Sequence, residues 1–129
     1  MNAQPGKDWT LVATSAADLD QIMSWFPDAE SVNIWGGPKF RFPFTVETFR
    51  EDCRLDAMES FSLHNAEGRL AAFGQAYERE GRGHLARLVS NPAMRRQGVG
   101  RQLIERIITS LGEARDYEEY SLFVYRHNI

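Results

Sequence analysis

The chain has 129 residues, 43% of them hydrophobic and 12% aromatic, which suffices for one packed domain and excludes a disordered chain. A net charge of −3 argues against a general nucleic-acid binder, and no apolar run approaches the ~20 residues of a membrane span. Cys53 is alone, so no internal disulfide forms; with no apolar leader at its start, the chain is expected to be a soluble cytoplasmic single domain over residues 1–129.

In chain order, Trp9–Thr14 is short and β-prone, a first strand. Ser15 caps a helix from about Ala16, with Leu19, Ile22, Met23 and Phe26 on its apolar face, and Pro27 ends it. Asp28–Thr45 mixes Trp35, Phe40, Phe42 and Phe44 with Gly36-Gly37-Pro38 and Pro43, and reads as a shaped loop. Its aromatics either tuck into the core or wall a ligand site. Thr45 caps a second helix, with Thr48 where a capping box would want Glu. Cys53 shares the inward spacing of Val46 and Phe49, so it is core rather than nucleophile. Ser60–His64, Arg69–Tyr77 and His84–Ser90 then form an antiparallel run of strands, with turns at Asn65–Gly68 and Glu78–Gly83.

The next stretch is the most informative. Val99, Leu103, Ile104, Ile107, Ile108 and Leu111 recur at helical spacing, so a strand feeds a turn, Arg95-Arg96-Gln97-Gly98-Val99-Gly100, that opens a helix. The first N–H groups of a helix carry partial positive charge without internal partners. Gly98 and Gly100 let a ligand approach the backbone, and Arg95, Arg96 and Arg101 add donors suited to phosphate oxygens. The turn is therefore either an anion cradle or only a turn. No Gly-Lys-Ser/Thr is present, and the third glycine of the dinucleotide fingerprint is missing. A charged connection, Glu113–Glu119, leads to a last strand, Tyr120–Arg126. The order β-α-α-β-β-β-α-β predicts an α/β (α+β) fold, a mixed, mostly antiparallel sheet flanked by helices.

Arg95, Gly98 and Gly100 meet the pattern Arg/Gln-x-x-Gly-x-Gly/Ala, and the chain here resembles motif A of the GNAT N-acetyltransferases. Leu88-Val89-Ser90-Asn91-Pro92 resembles the family's strand end, Leu103-Ile104 its helix start, and Leu122–Asn128 its next strand with the Asn that follows. The likeness is good over residues 60–129 and looser before. It implies acetyl-CoA as co-substrate, no metal, and contacts from Leu88, Val89, Arg95, Arg96, Gln97, Gly98, Val99, Gly100, Arg101 and Asn128. A backbone N–H, that of Val89 or Ser90, would polarise the thioester. The acceptor amine would attack directly, with no protein nucleophile. Where the family uses a strand Glu or a water relay as base, this strand offers His84, after Glu78 and Glu80. Trp35, Phe40 and Phe42 would wall the acceptor.

The resemblance implies acetyl transfer to a primary amine of a small molecule. The other readings it leaves are a protein N-terminal or lysine acetyltransferase and a non-catalytic acetyl-CoA-binding module. Nucleic acid and membrane are not expected partners. The family continues with a helix, which commonly carries a Tyr acid, and a further strand where this sequence stops at Ile129. The sheet is therefore expected to be C-terminally short, with a homodimer covering the last strand's apolar face.

Overall fold

A computed structural model describes residues 9–94, 97–115 and 119–122. The chain runs β1 (Thr10–Ala13), α1 (Ala16–Met23), α2 (Ala29–Gly36), α3 (Val46–Cys53), β2 (Glu59–His64), β3 (Leu70–Arg79), β4 (Arg82–Ser90), a 3-10 turn (Pro92–Met94), α4 (Val99–Arg115) and β5 (Tyr120–Leu122). The sheet order is β1-β2-β3-β4-β5. The first four strands pair antiparallel and β5 joins β4 in parallel, so the sheet is mixed as expected.

Local chemistry sets the helix starts. The Ser15 hydroxyl accepts the Asp18 N–H, and the Asp18 carboxylate accepts the Ser15 N–H, both at 3.1 Å. Thr48 completes the same reciprocal box with Thr45, its hydroxyl standing where a Glu carboxylate is usual. The segment Asp28–Thr45 is not all loop. Asp28 accepts the Ser31 N–H at 2.8 Å and starts α2, which Gly37 ends at φ 100°. The Gly-Gly-Pro that suggested a loop is the stop signal of a helix.

Two cores sit on opposite faces of the sheet. Val99, Leu103, Ile107 and Leu111 form one stripe of α4, each at most 3% exposed, against Leu63, Ala72, Ala76 and Leu85. Small residues on β3 let α4 approach. A Cβ on Gly74 would lie 2.7 Å from the Leu88 side chain and 3.1 Å from that of Ile107. On the other face α1, α2 and α3 bury Leu19, Ile22, Val32, Phe49 and Cys53 against Phe73. β3, covered on both faces, is buried from Leu70 to Ala76.

Candidate functional site

The end of β4 and the start of α4 adjoin. Asn91 fixes this junction: its N–H donates to Ala71 O at 2.8 Å, its side-chain amide donates to Leu70 O at 3.0 Å, and its Oδ1 accepts the Ala93 N–H at 2.9 Å. Gly98 lies at φ +73°, a left-handed conformation that other residues adopt at a cost. Its carbonyl accepts the Gln102 N–H at 3.1 Å and so begins α4. A Cβ on Gly98 would meet nothing within 4 Å, and one on Gly100 only the Ser90 hydroxyl, at 3.9 Å. Gln97 and Gly98 are exposed while Val99 is anchored in the core. The result, among the described residues, is an opening, or concavity, over Gly98 and Gly100 at the positive end of a 17-residue helix, whose charge suits a pyrophosphate.

Leu88 and Val89 lead to this concavity on opposite faces of β4, Leu88 packing under α4 and Val89 on the α1–α3 side. Just before Val89 the strand bulges. Phe73 pairs with Val89 and Gln75 with Ala86, so Arg87 and Leu88 together oppose Gly74. Arg87 takes φ +52° there.

Arg87 sits at the centre of a part-buried polar network that has no local signature in the sequence. Its Nη1 donates to Asp52 O at 2.7 Å and to Gln75 Oε1 at 3.2 Å, and its guanidinium lies 5.5 Å from the Phe40 ring centroid. Gln75, fully buried, donates through Nε2 to Cys53 O and to Ser60 Oγ. The Arg87 carbonyl in turn accepts the Trp35 indole N–H at 2.7 Å. Asp52 and Cys53 close α3, so Arg87 and Gln75 satisfy helix-end carbonyls from the sheet. The Asp52 carboxylate itself is committed to Arg41, at 2.9 and 3.1 Å. Burial lowers the pKa of Arg87, and burial likewise pushes the Cys53 thiol up to about 12, in keeping with Cys53 as core.

The other expected site residues fall as follows. His84 is 2% exposed, with Nδ1 2.8 Å from the Ser121 hydroxyl on β5 and its ring centroid 5.1 Å from that of Tyr77. Five residue steps of strand, roughly 16 Å at ~3.3 Å each, separate it from Val89. His84, expected as the base, is thus buried and does not stand beside Val89 on the strand. Burial, followed by the charge of Arg79, holds its pKa below the ordinary 6.5. Phe40, expected to wall the acceptor, is 5% exposed, packed edge-on to Phe49 and against Trp35, and belongs to the core. Phe42 is 37% exposed and stands edge-on to Phe44. Arg101 is turned along α4 to Glu105, at 2.9 Å, rather than toward the concavity. Arg95, Arg96 and Asn128 lie outside the described residues. A separate open groove of about 650 Å³ runs along the β1 edge, lined by Leu11–Thr14, Leu55–Phe61, Ser110 and Leu111. It lies at the opposite edge of the sheet from β5 and is not the concavity. Among the described residues no group of three or more His, Cys, Asp or Glu could hold a metal, and no helix is long and apolar enough to cross a membrane.

Residues 19–129 match the acetyltransferase (GNAT) family, and the chain belongs to that family of acetyl-CoA-dependent N-acetyltransferases. No curated protein sequence matches it. Among solved structures it is similar to the Vibrio cholerae spermidine N-acetyltransferase in complex with CoA and spermine, at TM-score 0.69 and 17% identity, over 91% of this chain and 71% of that one. A Trypanosoma brucei acetyltransferase aligns at TM-score 0.59 and 19% identity, covering 93% and 85%. The Escherichia coli ribosomal-protein-S18-alanine N-acetyltransferase aligns at TM-score 0.56 and 23% identity, covering 82% and 61%. At these identities the likeness is one of fold.

Proposed function

We propose that this chain acetylates a primary amine of a small molecule, holding the acetyl-CoA pyrophosphate on the main-chain N–H groups of Gln97–Gly100. The observation that carries the reading is the open concavity at Gly98 and Gly100, set at the end of β4. When bound, acetyl-CoA supplies an activated acyl group, the amine's C–N bond forming as the C–S bond breaks. The chain's own part is positional and electrostatic. Gly98 and Gly100 keep the backbone accessible to phosphate, and Leu88 and Val89 guide the pantetheine toward the bulge. The Ser90 N–H, which points away from β3 where the neighbouring Asn91 N–H points toward it, would polarise the thioester oxygen. An alkyl ammonium with a pKa of about 10 must shed a proton before it attacks. His84, kept neutral by burial, accepts that proton through a relay past Tyr77.

The spermidine enzyme among the similar structures supports a small amine as acceptor, and the S18-alanine enzyme makes a protein N-terminus the natural control. Thiol release from acetyl-CoA, followed with polyamines, other alkylamines and an alanine-ended peptide, tests the proposal. Release with at least one small amine and none with the peptide is expected. Release with the peptide alone would move the acceptor class, and binding without any release would make the chain a non-catalytic acetyl-CoA module.

A further inference from the structure

We infer that Trp35, Gln75 and Arg87 form a positioning device that holds the β4 bulge, and through it the strand N–H that faces the thioester; this rests on the functional reading above. Arg87 is a non-glycine residue in the left-handed region, which is costly unless its surroundings over-determine it. They do so from both ends of the residue. Its carbonyl is pinned by the Trp35 indole of α2 at 2.7 Å, and its guanidinium by Asp52 O of α3 at 2.7 Å and Gln75 Oε1 of β3 at 3.2 Å. A glycine would take this φ without strain, so the bulge alone does not call for arginine. Arginine adds a rigid link from the bulge to the ends of two helices. The link is directional: a shift of α2 or α3 moves the carbonyl or the guanidinium of one residue, and the peptide groups after it turn with them. Among the described residues Arg87 has no carboxylate within ion-pair distance, since Asp52 is held by Arg41. Its hydrogen bonds go to neutral acceptors, a main-chain carbonyl and a side-chain amide oxygen. α2 and α3 thereby set the register of the group that polarises the acyl carbonyl. Trp35, Gln75 and Arg87 are positioning residues here, acting through the backbone of β4.

The test uses acetyl-CoA labelled with 13C at the acetyl carbonyl, bound to the full chain without acceptor, and reads its infrared stretch. The wild type should show the stretch displaced to lower frequency relative to free acetyl-CoA. In Trp35→Phe, which keeps an aromatic ring but loses the indole donor, the stretch should return most of the way to the free value. Arg87→Ala should do the same, while Arg87→Gly, which loses the same side-chain bonds but takes the left-handed φ freely, should keep more of the displacement. With an acceptor found, kcat should fall about tenfold in Trp35→Phe and Arg87→Ala with the KM for acetyl-CoA within about twofold, and less in Arg87→Gly. A role confined to packing or to capping α3 predicts the opposite order, alanine at least as good as glycine within a strand. A displaced wild-type stretch that is unchanged in Trp35→Phe and Arg87→Ala, or a bound wild-type stretch at the free value, overturns the positioning role and leaves acetyl-CoA binding standing. No acetyl-CoA binding by the wild type overturns both.

Discussion

The indole N–H of Trp35 donates to the carbonyl of Arg87 at 2.7 Å, across 52 residues of sequence, and ties α2 to the bulge of β4. The same ring lies parallel to Phe49 at 5.9 Å and tilts against Phe26, Phe40 and Phe73. Two contributions are therefore separable. Trp35→Leu should destabilise the fold by roughly 3–4 kcal/mol through lost ring contacts and a cavity. Trp35→Phe should cost less, about 1–2 kcal/mol, mainly from the unsatisfied carbonyl. Urea unfolding of both variants measures the difference.

Gly98 and Gly100 should respond differently to alanine. Gly98 occupies φ +73°, so Gly98→Ala strains the fold by about 1–2 kcal/mol and weakens acetyl-CoA binding as well. Gly100 is in the first turn of α4 with open space around it, so Gly100→Ala should leave stability unchanged or raise it by up to about 1 kcal/mol. The methyl group nevertheless occupies the space a phosphate would use, and acetyl-CoA affinity should drop at least about tenfold. Calorimetric titration beside thermal unfolding separates the two.

Gly74→Ala probes the contact between α4 and the sheet. The added methyl lies 2.7 Å from Leu88 Cδ2 and 3.3 Å from Leu103 Cδ2, so side chains on both sides must give way. A loss of about 1–3 kcal/mol is expected in chemical denaturation. Because Leu88 is part of the bulge, the variant should also raise the KM for acetyl-CoA.

Acid should weaken the fold in two windows. The folded-state pKa of His84 lies below 6.5, so between the two values the unfolded chain binds the extra proton. Stability should decline as pH falls below about 6.5 and be unaffected by this group above it. For Asp18, burial raises the pKa, but hydrogen bonds from the Ser15 backbone, Ser62, His64 and the Ser15 hydroxyl outweigh it and hold the pKa below 3.8. Its contribution is present above 3.8 and is lost as the pH falls through the folded value. His84→Asn should flatten the first window only, and Asp18→Asn the second, while also costing about 1 kcal/mol near neutrality through the capping box. Unfolding free energies across pH 3–8 give the slopes.

What the sequence made legible were the features with local signatures. The stripe Val99, Leu103, Ile107, Leu111 announces α4, the Ser15 and Thr45 caps announce α1 and α3, and Gly98 with Gly100 announces the concavity. α2 was hidden because Trp35 and Gly36-Gly37-Pro38 resemble a loop, although Asp28 followed by Ser31 is a cap signal. The bulge was not legible at all. A left-handed arginine leaves no mark in a strand of otherwise ordinary residues, and its partners Trp35, Asp52 and Gln75 come together only when the sheet forms. Phe40 reads equally well as ligand wall or core from sequence, and the packing of Trp35 and Phe49 around it decides for core.

Backbone amide spectra of 15N-glycine-labelled protein, recorded while acetyl-CoA is titrated in, test the central claim most directly. Gly98 and Gly100 should shift first and furthest, with Gly81, in the turn at the other end of β4, unmoved. Shifts confined to glycines away from the start of α4, or none at saturating acetyl-CoA, would contradict it.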